Sequence, residues 1–143
     1  MNDGVSNPIT PEQSRAQVID AAKDIVSILN LPVETAIFWR SSCNDQGEAP
    51  FRGRMRIAYP LAPNFEASDA EVARWVQQLQ TKGWTPDPNA HTHGTAVAKN
   101  SVGATFWPQS VSDTTRSLEL LGECRDVTTT KQTAGDNEHI DLS

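Results

Sequence analysis

The chain contains only two cysteines and one tyrosine, and long apolar runs are missing from it. No segment reaches the roughly 18 consecutive apolar residues that a membrane-spanning helix needs. A basic surplus is also missing, because 12 Lys and Arg face 18 Asp and Glu, for a formal net charge of −6. Proteins that bind nucleic acids concentrate Lys and Arg against the phosphates, so the composition argues against a nucleic-acid partner.

Motifs of catalysis and cofactor binding are missing as well. The sequence shows no P-loop, no G-x-G-x-x-G fingerprint and no Ser-His-Asp order. His91 and His93 stand two apart near Asp87 and could ligate a metal ion, but a pair on one loop is more typical of exposed histidines. We therefore expect no catalytic residue, no cofactor and no metal site. A reaction site assembled from residues distant in sequence is the alternative.

What is present indicates one domain with polar ends. A chain of 143 residues is long enough to bury a core of its own. Residues 1–9 are polar and turn-forming and predict a flexible leader, and residues 10–126 hold the periodic apolar segments of a single domain. Residues 127–143 show no apolar period, so we expect a disordered polar tail there.

Two amphipathic helices are predicted from their start signals. Thr10 and Gln13 form a capping box before an apolar stripe that ends near Asn30. Ser68 and Glu71 form a second capping box before another apolar stripe. Both stripes need a partner surface to bury them.

Five strands are predicted between and after the helices. They span residues 34–42, 51–59, 95–99, 102–107 and 116–123. The element order αββαβββ is typical of an α+β fold, with two helices on one face of a mainly antiparallel five-stranded sheet. If the first and last strands lie side by side, the sheet order is 2-1-5-4-3 with a parallel central pair.

The two cysteines each follow a predicted strand. Cys43 comes after the first strand and Cys124 after the last, 81 residues later, so both emerge at the same edge of the sheet. That placement favours a disulfide, which indicates an oxidising compartment. Metal sites usually show closer pairs, and no base stands near either cysteine, but a metal site, a catalytic thiol or two unrelated thiols are the alternatives.

Alternating arginines mark a second candidate site. Three lie on one face of the second strand and a fourth on the first strand: Arg52, Arg54, Arg56 and Arg40. Such a patch could bind an anionic lipid headgroup, a carboxylate or an acidic partner. The alternative is the solvated outer face of a one-sided sheet, with Glu119 and Glu34 as neighbouring acids.

The chain has four tryptophans: Trp39, Trp75, Trp84 and Trp107. They could line an apolar pocket. Aromatic residues on strands and helix faces more often belong to the core, so we expect them there.

A family resemblance rests on three stretches, "SSCNDQGEAPFRGRM", "GECRD" and a start of the form "NP…TPEQ". Together they resemble a family of small mycobacterial cell-envelope lipoproteins of unknown function, over about residues 7 to 126. The resemblance implies a precursor with a signal peptide and a lipidated N-terminal cysteine, exported to the outer face of the plasma membrane. No such cysteine stands near the start of this sequence. The family brings no substrate, cofactor or catalytic residue with it.

The combined expectation is a monomeric, non-enzymatic envelope lipoprotein domain that is tethered to the membrane outside the cytoplasm and binds a partner or ligand. One alternative is a small extracytoplasmic hydrolase or transferase with a dispersed site. Another is a phage-associated protein that shields an envelope component. A deep cleft with converging titratable groups would favour the enzyme, and a flat or grooved arginine-bearing face would favour binding.

Overall fold

The computed structural model describes residues 7–87 and 95–142. Its helices and strands follow one another as α1 (Pro11–Leu29), β1 (Thr35–Ser42), β2 (Phe51–Tyr59), α2 (Phe65–Gln80), β3 (Thr85–Pro86), β4 (Thr95–Lys99), β5 (Val102–Phe106), β6 (Arg116–Leu121) and β7 (Glu138–His139). The predicted α+β class with two helices is confirmed. The two-residue strands β3 and β7 extend the predicted five-stranded sheet to seven strands within the described residues.

Helix α1 begins and ends where the sequence predicts. The Thr10 side chain accepts from the backbone N–H of Gln13 at 3.0 Å, and the Gln13 side chain accepts from the backbone N–H of Thr10 at 2.9 Å. Both halves of the capping box therefore form. Asn30 ends the helix in the left-handed region, with φ at 52°.

Helix α2 begins earlier than predicted. Asn64 is its N-cap, and its side chain accepts from the backbone N–H of Ala67 at 2.8 Å. The predicted capping box of Ser68 and Glu71 is wrong, because both side chains instead contact the buried Arg116. The two side chains that the local sequence assigned to the N-terminus of the helix therefore form a tertiary contact instead.

The sheet is antiparallel throughout, in the order β3-β4-β5-β6-β2-β1-β7. The predicted order 2-1-5-4-3 is therefore wrong at its first hairpin: β2, and not β1, pairs with the last long strand β6. No parallel pair occurs among the described strands. β2, whose five inward positions are all buried, takes the central place that the prediction gave to β1, which has two buried positions.

Two glycines let α1 approach the middle of the sheet closely. Gly53 on β2 and Gly122 just after β6 are joined by a backbone hydrogen bond of 2.9 Å. A Cβ atom on Gly53 would lie 2.9 Å from the Ser14 carbonyl oxygen and from Val18, and one on Gly122 would also lie 2.9 Å from Val18. The helix thus packs directly against the glycines of "FRGR" and "GECR".

The chain after residue 126 differs from the predicted disordered tail. The Asp126 side chain is buried and accepts hydrogen bonds from the backbone N–H groups of Thr128 and Thr129 at 3.1 and 3.0 Å. Further on, β7 pairs with the edge of β1, and Leu142 is 9% exposed within the core. The packed unit therefore extends beyond residue 126 to residue 142. The turn capped by Asp126, the pairing of β7 with β1 and the burial of Leu142 hold this segment, although its sequence has no apolar period.

The predicted leader, residues 1–9, lies partly outside the described residues. Its described end is held at the domain, because the backbone N–H of Ile9 donates to the carbonyl of Arg125 at 2.9 Å and the Arg125 Nε donates to the carbonyl of Asn7 at 2.7 Å. The chain therefore enters the domain beside Cys124.

Candidate functional site

The helices cover one face of the sheet and leave the other without a helical layer in the described part of the chain. The pleat sends alternate residues of each strand to opposite sides, and cross-strand partners share a side. We call the uncovered side the outer sheet face. Its central positions are Ile37, Trp39 and Ser41 on β1, Arg52, Arg54, Arg56 and Ala58 on β2, and Ser117, Glu119 and Leu121 on β6.

The outer sheet face is rich in positive charge for so acidic a chain. Arg52, Arg54 and Arg56 lie on it, and Glu119 is its one carboxylate among the outward positions of the described strands. Three guanidinium groups against one carboxylate leave two positive charges, in a chain whose net charge is −6. The face and the rest of the molecule are therefore opposite in sign.

Glu119 is shared by two arginines. It lies directly opposite Arg56 in the ladder, accepts a short hydrogen bond from Arg54 and contacts Arg56 at 3.4 Å. Burial alone would raise the pKa of Glu119, but the hydrogen bonds and charges of Arg54 and Arg56 outweigh it and hold that pKa below its usual value. Arg56 is the more available of the two, since 58% of its side chain is exposed, against 31% for Arg54.

An aromatic side chain flanks this cluster. Trp39 lies opposite Arg54 on the neighbouring strand, and the guanidinium carbon of Arg54 lies 5.2 Å from the centre of the Trp39 ring. A cation–π contact of this kind helps to hold the arginine in place. The face thus offers guanidinium groups beside an amphipathic ring.

The predicted disulfide between Cys43 and Cys124 is confirmed, with the two Cα atoms 6.2 Å apart. The strands that precede the cysteines are not adjacent, so the bond crosses the start of β2. A bulge makes this reach feasible: one residue of β2 separates Gly53 from Phe51, whereas three residues separate their partners Gly122 and Asp126. The bulge carries Cys124 over the strand.

Arg52 is directed at this bond and away from Glu119. Its Nε and Nη2 donate to the Sγ of Cys124 at 3.2 and 2.9 Å. Burial, and after it the charge of Arg54, lower the pKa of the Arg52 guanidinium. The predicted row of arginines therefore divides into a pair on Glu119 and a single arginine on the disulfide.

Arg40 does not belong to the outer sheet face. Its cross-strand partner is Gly53, an inward position, so Arg40 points to the helix side. There its Nη1 donates to the carbonyl of Pro11 at 2.7 Å and lies 4.0 Å from the buried Asp126. The predicted grouping of Arg40 with the other three arginines is corrected by this register, which residue type alone could not fix.

A buried arginine, Arg116, is the residue that the sequence analysis missed. Its side chain is 5% exposed, pairs with Glu71 at 2.7 Å and donates to the carbonyl of Pro60 at 2.8 Å. Its guanidinium carbon lies 4.7 Å from the ring centre of Tyr59 and 5.4 Å from that of Trp75. Its place opposite Tyr59 depends on the pairing of β2 with β6, so no signal in the local sequence marked it.

The four tryptophans do not line a common pocket. Trp75 and Trp84 are buried in the core, as predicted, and the indole N–H of Trp84 donates to Asp24 at 3.0 Å. Trp39 and Trp107 are half-buried at separate places.

Two clefts of the described part lie on the helix side. One of about 430 Å³ runs between α2 and the end of β5, lined by Val72, Val76, Phe106 and Trp107 among others. Another of about 470 Å³ lies beside α1, where Lys99 pairs with Asp24 at 3.2 Å. Within the described ranges, no three His, Cys, Asp or Glu side chains group as metal ligands. His91 and His93 lie outside the described residues.

Neither helix of the described chain combines the length and the apolarity needed to cross a bilayer.

A family model described as "Putative lipoprotein LppJ" matches residues 10–143. The chain belongs to this family. Proteins of the same description from Mycobacterium tuberculosis and Mycobacterium bovis are 34% identical to it over 128 residues, which cover 88% of the chain. No solved structure gives a significant match.

The family fixes the class of protein but no reaction. Its description names a lipoprotein, a class of the cell envelope, and names no activity. The chain spans 66% of the length of the curated relatives that it matches. What the whole protein binds or does is therefore a matter for proposal.

Proposed function

We propose that the chain is the globular domain of an extracytoplasmic lipoprotein, held at the outer face of the plasma membrane by an N-terminal lipid anchor. In this proposal the domain is a monomer without enzymatic activity, and its outer sheet face docks on the anionic headgroups of the membrane lipids. The observation that carries the proposal is the positive charge of that face in an acidic chain.

The electrostatic argument depends on the imbalance at Glu119. One carboxylate cannot neutralise the guanidinium groups around it, and Arg56 is still largely exposed after making its contact. The face is therefore short of acceptors, and lipid phosphates are strong acceptors for guanidinium groups.

The apolar side chains around the arginines suit an interface with lipid. Trp39 is half-buried beside Arg54, and Ile37 and Leu121 on the same face are half-buried as well. Tryptophan rings favour the headgroup level of a bilayer, where one side is apolar and the other is wet. Charge and apolar area thus act on the same patch.

The entry point of the chain fits the same orientation. Asn7 and Ile9 are held by Arg125, which lies next to the disulfide and close to the start of β2. A tether that enters there reaches the domain at the end of the sheet where the arginine row begins. The outer sheet face is then within reach of the surface that holds the anchor.

Vesicle binding tests the proposal. We expect the protein to cosediment at low ionic strength with vesicles rich in phosphatidylglycerol. It should not cosediment with vesicles of phosphatidylcholine. Arg54→Gln together with Arg56→Gln should weaken that binding roughly thirtyfold, at about 1 kcal/mol for each basic side chain near the surface. The matched control, Lys23→Gln with Arg74→Gln, removes the same charge from exposed helix positions and should have a much smaller effect.

Two results would count against the proposal. One is a wild-type protein that ignores anionic vesicles at low salt. The other is an equal loss of binding in the sheet and helix variants, which would mean that net charge alone, and not this face, controls the interaction. If a polyanionic glycan competes with the vesicles and binds the protein as strongly as they do, the partner is a saccharide instead.

A further inference from the structure

The side chain of Arg52 contacts the disulfide and no carboxylate of the described residues. The guanidinium of Arg52 is half-buried and gives two N–H groups, at 3.2 and 2.9 Å, to one sulfur atom, the Sγ of Cys124. Within the described residues it forms no ion pair with a carboxylate. Its partner in the oxidised protein is thus a neutral sulfur.

The two redox states of Cys124 differ greatly as partners for this group. A disulfide sulfur is a weak hydrogen-bond acceptor, whereas a thiolate carries a full negative charge and takes charge-assisted hydrogen bonds. A neighbouring cation lowers the pKa of a cysteine thiol, and a thiol with a lower pKa is the better leaving group in thiol–disulfide exchange. Arg52 therefore stabilises the reduced form of Cys124 more than the oxidised form.

We propose that the Cys43–Cys124 bond is a thiol-exchange site, in which Cys43 is the sulfur attacked and Cys124 is the thiolate that leaves. The reductant is a dithiol. Its first thiolate bonds to the Sγ of Cys43 as the bond to Cys124 breaks, and the electron pair stays on Cys124 beside Arg52. Its second thiolate then displaces Cys43, so that the dithiol becomes a disulfide and the two cysteines have gained two electrons.

The site has the accessibility that exchange requires. Both cysteines are half-buried rather than enclosed in the core, and Cys43 directly precedes the polar loop from Asn44 to Ala49. The bond joins that loop to the bulge that carries Arg125 and, through it, Ile9. Opening the bond would free the end of the domain at which the leader enters. This inference does not rest on lipid docking.

Reduction kinetics of the folded, oxidised protein test the role of Arg52. With dithiothreitol as the dithiol, quenching by alkylation and counting of free thiols by mass, Arg52→Met should slow reduction by about tenfold. Arg74→Met, a control that removes an exposed arginine from α2, should stay within twofold of the wild type. Oxidised starting material with an unchanged circular dichroism spectrum shows that each variant is folded before the measurement.

The direction of attack is tested separately with glutathione, whose mixed disulfide can be trapped by acid and located by peptide mapping. Glutathione on Cys43 is the expected result. Glutathione on Cys124, an Arg52→Met variant that is reduced as fast as the wild type, or a bond that resists dithiothreitol until the protein unfolds would each overturn the inference.

Discussion

At the scale of single residues, the most unusual environment is that of Tyr59. The ring is fully buried, lies against Trp75 at 5.5 Å between ring centres, and has Arg116 above its face. Its hydroxyl has no hydrogen-bond partner in the described part of the chain. Burial raises the pKa of Tyr59 to about 12, with the charge of Arg116 opposing that shift and the charge of Glu71 adding to it.

The raised pKa gives an alkaline test. The folded state holds the neutral phenol, so the contribution of Tyr59 to stability is complete below pH 10 and is lost as the pH rises towards about 12. Over that window, the free energy of unfolding should fall by roughly 1.4 kcal/mol for each pH unit. Since Tyr59 is the single tyrosine of the chain, its tyrosinate absorbance reports the titration directly.

Tyr59→Phe is the matched control for the alkaline test. It keeps the ring and removes a buried hydroxyl that lacks a partner, so it should be close to neutral at pH 7. Its stability should fall less steeply than that of the wild type above pH 10. A tyrosinate transition near the ordinary value, with parallel curves for both proteins, would show that the ring is solvated.

At the scale of elements, the crossing of α1 over the sheet depends on Gly53. A methyl group on this residue would meet the backbone oxygen of Ser14 at 2.9 Å, and a helix backbone cannot rotate away as a side chain can. We expect Gly53→Ala to lower the free energy of unfolding by about 2 kcal/mol or more through overpacking. Chemical denaturation measures this effect.

Gly103 supplies the control for Gly53. It also lies in a strand of the sheet, but a Cβ atom built on it meets no heavy atom within 4 Å. Gly103→Ala should therefore change the stability by less than about 0.5 kcal/mol. Equal losses in the two variants would mean that strand glycines matter here through chain entropy and not through the helix contact.

The segment after residue 126 belongs to the same scale. It covers the edge of β1 with β7, and it inserts Leu142 into the core. Removing residues 127–143 should lower the thermal midpoint by roughly 5 to 10 °C. Burial of Leu142 contributes about 1.5 to 3 kcal/mol to the free energy of unfolding, and the covered edge of β1 and the turn at Asp126 add to it. Gln132→Ser, at an exposed position of the segment, should leave the midpoint unchanged.

Leu142→Ser separates the apolar anchor from the strand pairing. It should give about half the effect of the deletion. A deletion that leaves the midpoint where it was would contradict the packed position of this segment.

The elements also show how far sequence reasoning extends. Both helices, all five long strands and the pairing of Cys43 with Cys124 follow from periodicity, caps and strand ends. The order of the sheet, the start of α2 and the packing of the chain after residue 126 do not follow, because each depends on a distant partner. Ser68 has the local signature of a cap, for example, yet its hydroxyl accepts a hydrogen bond from Arg116, which lies 48 residues away in sequence.

The candidate site shows the same division. Alternation along β2 was enough to place Arg52, Arg54 and Arg56 on one face, but the contact with Glu119 depends on the pairing of β2 with β6, which the predicted sheet order did not contain. It could not show that Arg40 points the other way, since the register of β1 against β2 decides that orientation. The contact of Arg52 with Cys124 needed the bulge, which has no signal in local sequence.

At the scale of the whole molecule, two different surfaces could meet a membrane. One is the outer sheet face, with its positive charge and Trp39. The other comprises the start of α2 and the loops before it and after β5, where the described chain exposes the large apolar side chains Leu61, Phe65 and Val111. Apolar side chains of that size are the usual competitors of a charged patch for a lipid surface. The proposed function requires the first surface.

Oxidative footprinting on vesicles distinguishes these surfaces most directly. Hydroxyl radicals would label the protein alone and with vesicles rich in phosphatidylglycerol, and peptide mass spectra would compare Trp39 with Phe65, which is 46% exposed. Docking through the outer sheet face predicts that vesicles reduce the oxidation of Trp39 and leave that of Phe65 unchanged. Protection of Phe65 with Trp39 still oxidised would contradict it.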